Sequence, residues 1–188
     1  KSGFLSFISA LAFISTSLGV AVLIIVSSVM NGFEQELKDR VLNVIPHASI
    51  YGLNPIDDWE SVEINLREDA KIRGISPYIE TEALIKSKSA VAGVLVNGVI
   101  ATKDKSVSVI HEFMQTGDFE NIQTDNNIVL GRLLARKLNV DLGDKISLML
   151  PDTNSSFAGY FPRSKVFNIS GIFNIGSKDI DETLAYIS

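Results

Sequence analysis

The sequence predicts an α+β protein in which one N-terminal transmembrane helix precedes a mixed α/β domain. Two observations support this prediction. Residues 2–33 contain no charged side chain, whereas charges of both signs occur throughout the rest of the chain. Beyond the apolar segment, stretches with strand-like alternation and stretches with helical spacing of apolar residues follow one another, separated by Gly, Pro and Asn.

The apolar segment is longer than the roughly 20 residues that a helix needs to cross a bilayer. Lipid offers the backbone no hydrogen-bond partners, so a spanning segment must be helical. A cleaved signal peptide has an apolar region of only about 7–15 residues, and the length here favours a membrane span. Lys1 before the segment and Glu34 after it favour an N-terminus on the cytoplasmic side.

Serine and other small residues are frequent in the segment, including Ala10, Gly19 and Ala21. They indicate either close packing within a helix bundle or hydroxyls that bond back to their own helix. Apolar residues continue at helical spacing over residues 30–44, which predicts that the membrane helix extends into the aqueous phase and ends at Pro46.

The remaining chain predicts alternating short elements. Residues 47–51 indicate a strand, and Asp57 and Asp58 are predicted to cap a helix that ends near Lys71. The Asn97-Gly98 pair either turns a hairpin or lies within one strand. Predicted strands cover residues 79–88, 91–102, 128–130, 145–150, 166–173 and 184–187, and predicted helices cover residues 106–114 and 132–138.

Composition and motifs argue against several functions. The net charge of −5 argues against nucleic acid as a partner, and the absence of cysteine excludes disulfides and thiolate metal sites. His47 and His111, the only histidines, lack partners at metal-ligand spacing, and we predict that His111 is solvated. The acidic residues at 57–58 and 179–182 are typical of caps and surfaces. We therefore predict a non-catalytic protein with no cofactor and no metal site.

Residues 151–163, PDTNSSFAGYFPR, predict a long polar loop that carries three aromatic side chains, Phe157, Tyr160 and Phe161. Loops of this length are often binding elements, and exposed aromatic side chains are typical anchors for a partner protein. The alternative is that the aromatic side chains fold back and form a small core of their own.

Two segments resemble the LolC/LolE family of lipoprotein-releasing ABC transporter permeases, which lies within the MacB-like and FtsX-like superfamily. The specific motifs are SVMNGFEQELKDR at residues 28–40 and PHA at residues 46–48. Residues 128–151 and 166–187 are similar to later parts of the periplasmic domain in this family. The resemblance covers essentially the whole chain and favours a LolC-type or hybrid LolF-like subunit.

The resemblance implies a multi-pass protein of the bacterial inner membrane, with four membrane helices at full length. Residues 1–44 would form the first helix and its periplasmic extension, and residues 45–188 a MacB-like periplasmic core domain, partly truncated. Within that domain, about residues 45–85 would be a membrane-proximal, porter-like part. About residues 86–188 would be an inserted Sabre-like subdomain with a hook loop at 151–165.

The resemblance also implies partners and site residues. The partners are a LolD-like ATPase subunit that hydrolyses ATP, a LolE-like or identical second permease, a LolA-like periplasmic lipoprotein carrier, lipoprotein substrates and membrane lipids. The carrier-binding residues would be Pro151, Phe157, Tyr160, Phe161, Pro162, Arg163 and Lys165. The lipoprotein path and coupling helix would include Ser27, Val29, Met30, Phe33 and Leu37.

Two alternatives remain open. One is a MacB-type or FtsX-type mechanotransmitting permease with another cargo or partner. The other is a periplasmic binding module that a single membrane span anchors, with no role in transport.

Overall fold

The computed structural model describes residues 2–38, 44, 46–52, 55–150 and 163–188, and for residues 2, 37 and 163 it describes the backbone alone. The contacts divide the chain into two compact units, Lys1–Arg40 and Val41–Ser188. Each unit is described by itself.

The first unit is the single helix α1, Ser2–Leu37, which continues without a break past Met30. Within the stretch from Gly3 to Glu36, the most apolar 18-residue window has a mean hydropathy of 2.4, and none of its residues is buried. At 1.5 Å per residue such a helix is about 50 Å long, well beyond the roughly 30 Å of a hydrocarbon core. By length and composition, α1 could therefore cross a membrane with turns to spare. The rest of the predicted extension, residues 39–43, lies outside the described residues.

The described part of the second unit contains seven strands and four short α-helices. The strands are β1 Tyr78–Lys86, β2 Val91–Val99, β3 Met114–Gly117, β4 Asn127–Gly131, β5 Lys145–Leu150, β6 Arg163–Phe173 and β7 Leu184–Ile187. The helices are α2 Trp59–Arg67, α3 Ala101–Asp104, α4 Arg132–Leu138 and α5 Lys178–Thr183, with 3₁₀ turns at Ile110–Phe113 and Phe119–Gln123. The predicted α+β class is confirmed.

The strands pair in the order β3-β6-β4-β7-β2-β1-β5, and β5 also pairs with β6. On β6, Asn168 N donates to Asn126 O at 2.7 Å, while Ile169 N donates to Asp144 O at 2.9 Å. Successive backbone amides of a strand point to opposite sides, so β4 and β5 flank β6 on different edges. Six strands thus form a closed ring of pairings, and β3 is attached to the end of β6.

Each face of the sheet buries its own apolar cluster. The inner cluster contains side chains from β1, β2, β4, β5, β6 and β7 together with Leu134, Ala135 and Leu138 of α4. The outer cluster lies on the opposite face, where Val99, Val129 and Tyr186 pack against the two 3₁₀ turns and α3. The alternation of side chains along each strand explains the division: Ala185 belongs to the inner cluster and the adjacent Tyr186 to the outer one.

Helix α2 begins and ends for local reasons. The Asp58 carboxylate accepts the amide of Ser61 at 3.3 Å. Hydrogen bonds from the Ser61 side chain and then from the Ser61 backbone lower the pKa of Asp58. The predicted cap is therefore confirmed. The helix ends at Arg67 and not near Lys71, because the Asp69 carboxylate accepts the amide of Lys71 and forms a turn.

Two predicted elements are wrong. Residues 47–51 form no strand, because no strand in the described part of the chain pairs with them; Tyr51 instead bonds Tyr78, hydroxyl to hydroxyl, at 2.5 Å. The helix predicted over residues 106–114 is wrong in its extent, because only Ile110–Phe113 is helical and it is a 3₁₀ turn. Helix α3 ends at Asp104, and the Ser108 hydroxyl accepts the amide of Ile110 at 3.3 Å, which favours a turn.

The Asn97-Gly98 pair lies within β2, opposite Ile79 and Glu80, with no shift in register. The hairpin between β1 and β2 turns earlier, where the Ser87 hydroxyl accepts the amides of Ser89 and Ala90. Strand β3, α5 and the 3₁₀ turn at Phe119–Gln123 had no counterpart in the sequence-based prediction.

The division of the periplasmic domain near residue 85 stays a prediction. Strand β1, Tyr78–Lys86, crosses that position and pairs with both β2 and β5.

Candidate functional site

The predicted hook loop connects β5, which pairs along its whole length, to the first half of β6. Strand β5 is antiparallel to the first half of β6, and the register runs from Lys145 opposite Asn168 to Leu150 opposite Arg163. Residues 151–162 therefore join adjacent strands at one end of a hairpin. Pro151, Phe157, Tyr160, Phe161 and Pro162 lie outside the described residues, and the side chain of Arg163 does as well.

Lys165 is the predicted loop residue whose side chain the structure describes. It lies opposite Leu148, and its Nζ is 5.4 Å from the centroid of the Phe167 ring. Leu148 and Phe167 belong to the inner cluster, so Lys165 covers the end of that cluster nearest the loop and keeps its ammonium group exposed. Contact of a cation with a ring face is favourable by about 0.5–1 kcal/mol at exposed sites. The hairpin thus carries a fixed positive charge beside the base of the loop.

The predicted path residues all lie on α1. Ser27, Met30, Phe33 and Leu37 follow one another at intervals of three or four residues, which places them on one side of the helix. The exposed fractions of Val29, Met30 and Phe33 are 68%, 64% and 59%. Among the described residues of the first unit, nothing packs against Val29, Met30 or Phe33 on this side.

Hydroxyl groups on α1 can be satisfied within the helix. The Thr16 hydroxyl donates to the carbonyl of Ala12 at 2.9 Å, as expected of hydroxyls that bond back to their own helix. Beyond the apolar stretch, Lys38 forms an ion pair with Glu34 at 2.7 Å, one helical turn away.

The described ranges contain no group of three or more His, Asp or Glu side chains that could hold a metal ion. His47 is exposed, whereas His111 is only partly exposed and its Nδ1 is buried without a hydrogen-bond partner. The prediction that His111 is solvated is wrong, because the 3₁₀ turn that carries it packs against the outer cluster. The absence of a cofactor and of a metal stays a prediction.

Several buried polar side chains have structural roles that the sequence did not indicate. Asp181 is buried, and its two carboxylate oxygens accept the amides of Ile175 and Gly176, each at 2.9 Å. Asp104 is also buried, but its Oδ2 has no partner, and burial raises its pKa to about 6. Burial and the nearby Asp104 charge raise the pKa of Tyr186, against a hydrogen bond from Asn97 that lowers it. None of these groups opens onto a ligand site.

One ion-pair cluster joins α2 to α3. The buried Glu63 carboxylate accepts hydrogen bonds from Lys103 and, at 2.7 Å, from Arg67. These two partners, Lys103 first, lower the pKa of Glu63. The same Lys103 ammonium lies 4.4 Å from the centroid of the Trp59 ring. These polar contacts hold α2 against α3.

The family described as MacB-like periplasmic core domain matches residues 9–188. The chain belongs to this family. The helices and strands of the second unit are consistent with membership of this family.

The relatives of this MacB-like domain include permeases named for lipoprotein release. The chain is 34% identical to the lipoprotein-releasing system transmembrane protein LolC of Xylella fastidiosa (strain 9a5c), over all of this chain and 46% of that protein. It is 35% identical to LolC of Neisseria meningitidis serogroup B, over 98% of this chain and 45% of that protein. Identity to LolE of Haemophilus influenzae is 33%, over 93% of this chain and 43% of that protein.

The predicted resemblance to the LolC/LolE permeases is therefore confirmed. The chain spans about half the length of the curated relatives that it matches. Among solved structures, the extracellular domain of the noncanonic ABC-type transporter YknZ is similar with a TM-score of 0.45 and 9% identity, over 68% of this chain and 60% of that domain. The assignment of individual hook and path residues stays a prediction.

Proposed function

We propose that this chain is the N-terminal part of a permease subunit of an ABC transporter that releases lipoproteins from the bacterial inner membrane. The observation that carries the proposal is the identity of 34–35% to proteins named LolC, which extends over 98–100% of the chain. Similarity over that length includes both the membrane helix and the domain that follows it. A chance likeness between apolar helices would stop near residue 37.

In this proposal α1 crosses the inner membrane and residues 45–188 lie in the periplasm. The helix has enough length to cross the hydrocarbon core and to continue into the aqueous phase. The domain carries charges on its surface and buries two apolar clusters, as a water-exposed domain does.

The apolar side of α1 formed by Ser27, Val29, Met30, Phe33 and Leu37 would line the path that lipoprotein acyl chains take between helices. Side chains that are more than half exposed in the isolated helix are available to lipid or to neighbouring helices. Because α1 is continuous, its end beyond Met30 can transmit a movement of the membrane region to the periplasmic side.

The loop at residues 151–162 would recruit the periplasmic lipoprotein carrier. Its ends are held by the paired strands β5 and β6, so the loop starts from a rigid base, as binding loops on stable scaffolds do. Lys165 places a positive charge at this base. An acidic surface on the carrier would suit that charge. ATP hydrolysis would belong to a separate LolD-like ATPase subunit, and a LolE-like or identical permease would complete the membrane part.

Carrier binding tests this proposal in the full-length permease complex. Deletion of residues 155–160 should abolish pull-down of the lipoprotein carrier, whereas co-purification of the ATPase should persist. Charge reversal of Lys165→Glu should weaken the pull-down. The matched control is Lys145→Glu, because Lys145 is an exposed lysine at the opposite end of the same hairpin and its reversal should leave the pull-down unchanged.

Three results would separate the candidate functions. Retention of carrier binding after the deletion would contradict recruitment by the loop. An ATPase that co-purifies with a complex that never binds the carrier would favour a mechanotransmitting permease with another cargo. Failure of any ATPase to co-purify would favour the single-span binding module.

A further inference from the structure

One part of the outer sheet face has no cover among the described residues. The register places alternate residues of β1 on this face: Glu80, Glu82, Leu84 and Lys86. At the start of β1 the outer cluster covers the sheet through Tyr78 and Val99. Toward the end of β1 the outer cluster stops, and the face is open to solvent.

The open face carries apolar side chains on four adjacent strands, and Lys86, Ser147 and Ser164 lie among them. Leu84 is 49% exposed, Val91 of β2 is 56% exposed and Val166 of β6 is 55% exposed. Leu84 lies opposite Met149 of β5 on one side and Gly93 of β2 on the other. A Cβ added at Gly93 would meet nothing within 4 Å. We call Leu84, Val91, Gly93, Met149 and Val166 the outer patch.

Two side chains of opposite charge flank Leu84 along β1. Glu82 precedes it by two residues and Lys86 follows it by two, on the same face. Within the described chain neither Glu82 nor Lys86 has an ion-pair partner. They cannot pair with each other, because four residues of a strand span about 13 Å.

We propose that the outer patch is an interface for a second copy of this chain, related by a twofold axis that lies in the plane of the interface, perpendicular to β1, and passes beside Leu84. Such an axis brings the same patch of both copies together and places residue i of one copy against residue j of the other, and vice versa. Glu82 of each copy then faces Lys86 of its partner, so the arrangement makes two ion pairs. Leu84 meets its own counterpart at the centre.

A twofold pairing explains why the charges change sign on either side of Leu84. A partner of one sign, such as an acidic or a basic protein surface, would be repelled by one of the two ends. The outer patch has five residues, fewer than the roughly 20–30 that each partner contributes to a stable complex. Association through it is therefore weak in dilute solution, and it depends on the high local concentration that a shared membrane provides. The interface rests on the proposed function, since it specifies how an identical second permease would contact this one, but it does not depend on the carrier or on the cargo.

Chemical crosslinking of the full 188-residue chain in liposomes tests the interface, because the chain contains no cysteine. Packed sheets lie about 10 Å apart, which is farther than the Cα atoms of a disulfide, so a short bis-maleimide joins the thiols. Leu84→Cys should give a crosslinked fraction several-fold above that of Ile79→Cys. Ile79 is the matched control, because it is 74% exposed and lies on the opposite face of the same strand.

Charge reversals identify the predicted contacts. With Cys at position 84, Glu82→Lys should lower the crosslinked fraction roughly ten-fold, because like charges then meet at both contacts. Lys86→Glu should have the same effect. The double variant, Glu82→Lys with Lys86→Glu, should restore crosslinking, which loss of folding could not explain.

Equal crosslinking of Leu84→Cys and Ile79→Cys would overturn the proposal, as would a double variant that stays as low as the single ones. If Leu84→Cys remains monomeric but its modification with a bulky maleimide blocks carrier pull-down, the outer patch belongs to the carrier and the twofold interface is wrong. These outcomes are separate from the loop-deletion test, because the crosslinking needs neither the ATPase nor the carrier.

Discussion

Replacement of Asp181 by alanine tests how the sheet is joined to helix α5. The Asp181 side chain is 1% exposed, and its two oxygens accept the amides of Ile175 and Gly176. These amides follow the end of β6, where Gly176 adopts a positive φ of 90°. The carboxylate therefore fixes the turn that leads the chain back into α5 and β7.

The magnitude follows from the two lost contacts. A hydrogen bond to a charged group contributes about 1.5–3 kcal/mol, and a buried donor left without a partner costs about 1–3 kcal/mol. Because the two bonds share one acceptor group, their losses are not additive. We expect Asp181→Ala to lower the free energy of unfolding by about 3–5 kcal/mol. Asp181→Asn should cost about half of that, since one oxygen remains as an acceptor.

Urea unfolding of the chain in detergent, followed by circular dichroism, measures the effect. With a denaturant slope of about 1–3 kcal/mol per molar, the midpoint should fall by more than about 1 M. The matched control is Asp179→Ala, an exposed carboxylate on the same helix, which should change stability by less than about 1 kcal/mol. Equal losses of unfolding free energy for the two alanine variants would refute the conclusion that the Asp181 carboxylate holds this turn in place.

Two further predictions concern buried positions. A Cβ at Gly131 would lie 2.3 Å from the carbonyl oxygen of Asp181. Gly131→Ala should therefore destabilise the domain by about 1–3 kcal/mol. The control is Gly93→Ala, which should change the unfolding midpoint little because a Cβ there would meet nothing within 4 Å. Burial raises the pKa of Asp104 to about 6, above its ordinary value near 3.9. The folded state therefore holds this proton after the unfolded state has lost it, and stability should fall as pH rises from about 4 to 6, by roughly 3 kcal/mol in total. Asp104→Asn should remove this dependence and stabilise the domain at neutral pH.

Each of these has a contrary result. If Gly131→Ala and Gly93→Ala unfold at the same urea concentration, the contact between Gly131 and the Asp181 carbonyl is not rigid. If the unfolding curves of the parent chain and of Asp104→Asn keep a constant separation between pH 4 and 7, the Asp104 carboxyl is not desolvated in the folded state.

Local signals in the sequence determined the elements whose boundaries agree with the structure. Helix α4 and strands β5 and β7 begin and end where predicted, because a glycine, a Gly-Asp turn or a clear change in periodicity marks each boundary. Helix α1 needed only length and the absence of charge, since both are properties of a single segment. The family resemblance likewise depended on contiguous motifs, and the family comparison confirmed it.

Tertiary structure alone decided the remaining features, because each depends on residues that are distant in sequence. The strand predicted at residues 47–51 failed for lack of a partner strand, and no local pattern reports that lack. The ring closes through the pairing of β5 with β6, and only the register shows that Leu84, Met149 and Val166 share an open face. Asp181 resembled a surface acid in sequence, yet it is buried because the chain reverses direction and brings two backbone amides to its carboxylate. Periodicity determines which side chains can share a face; the pairing of distant strands determines which faces are covered.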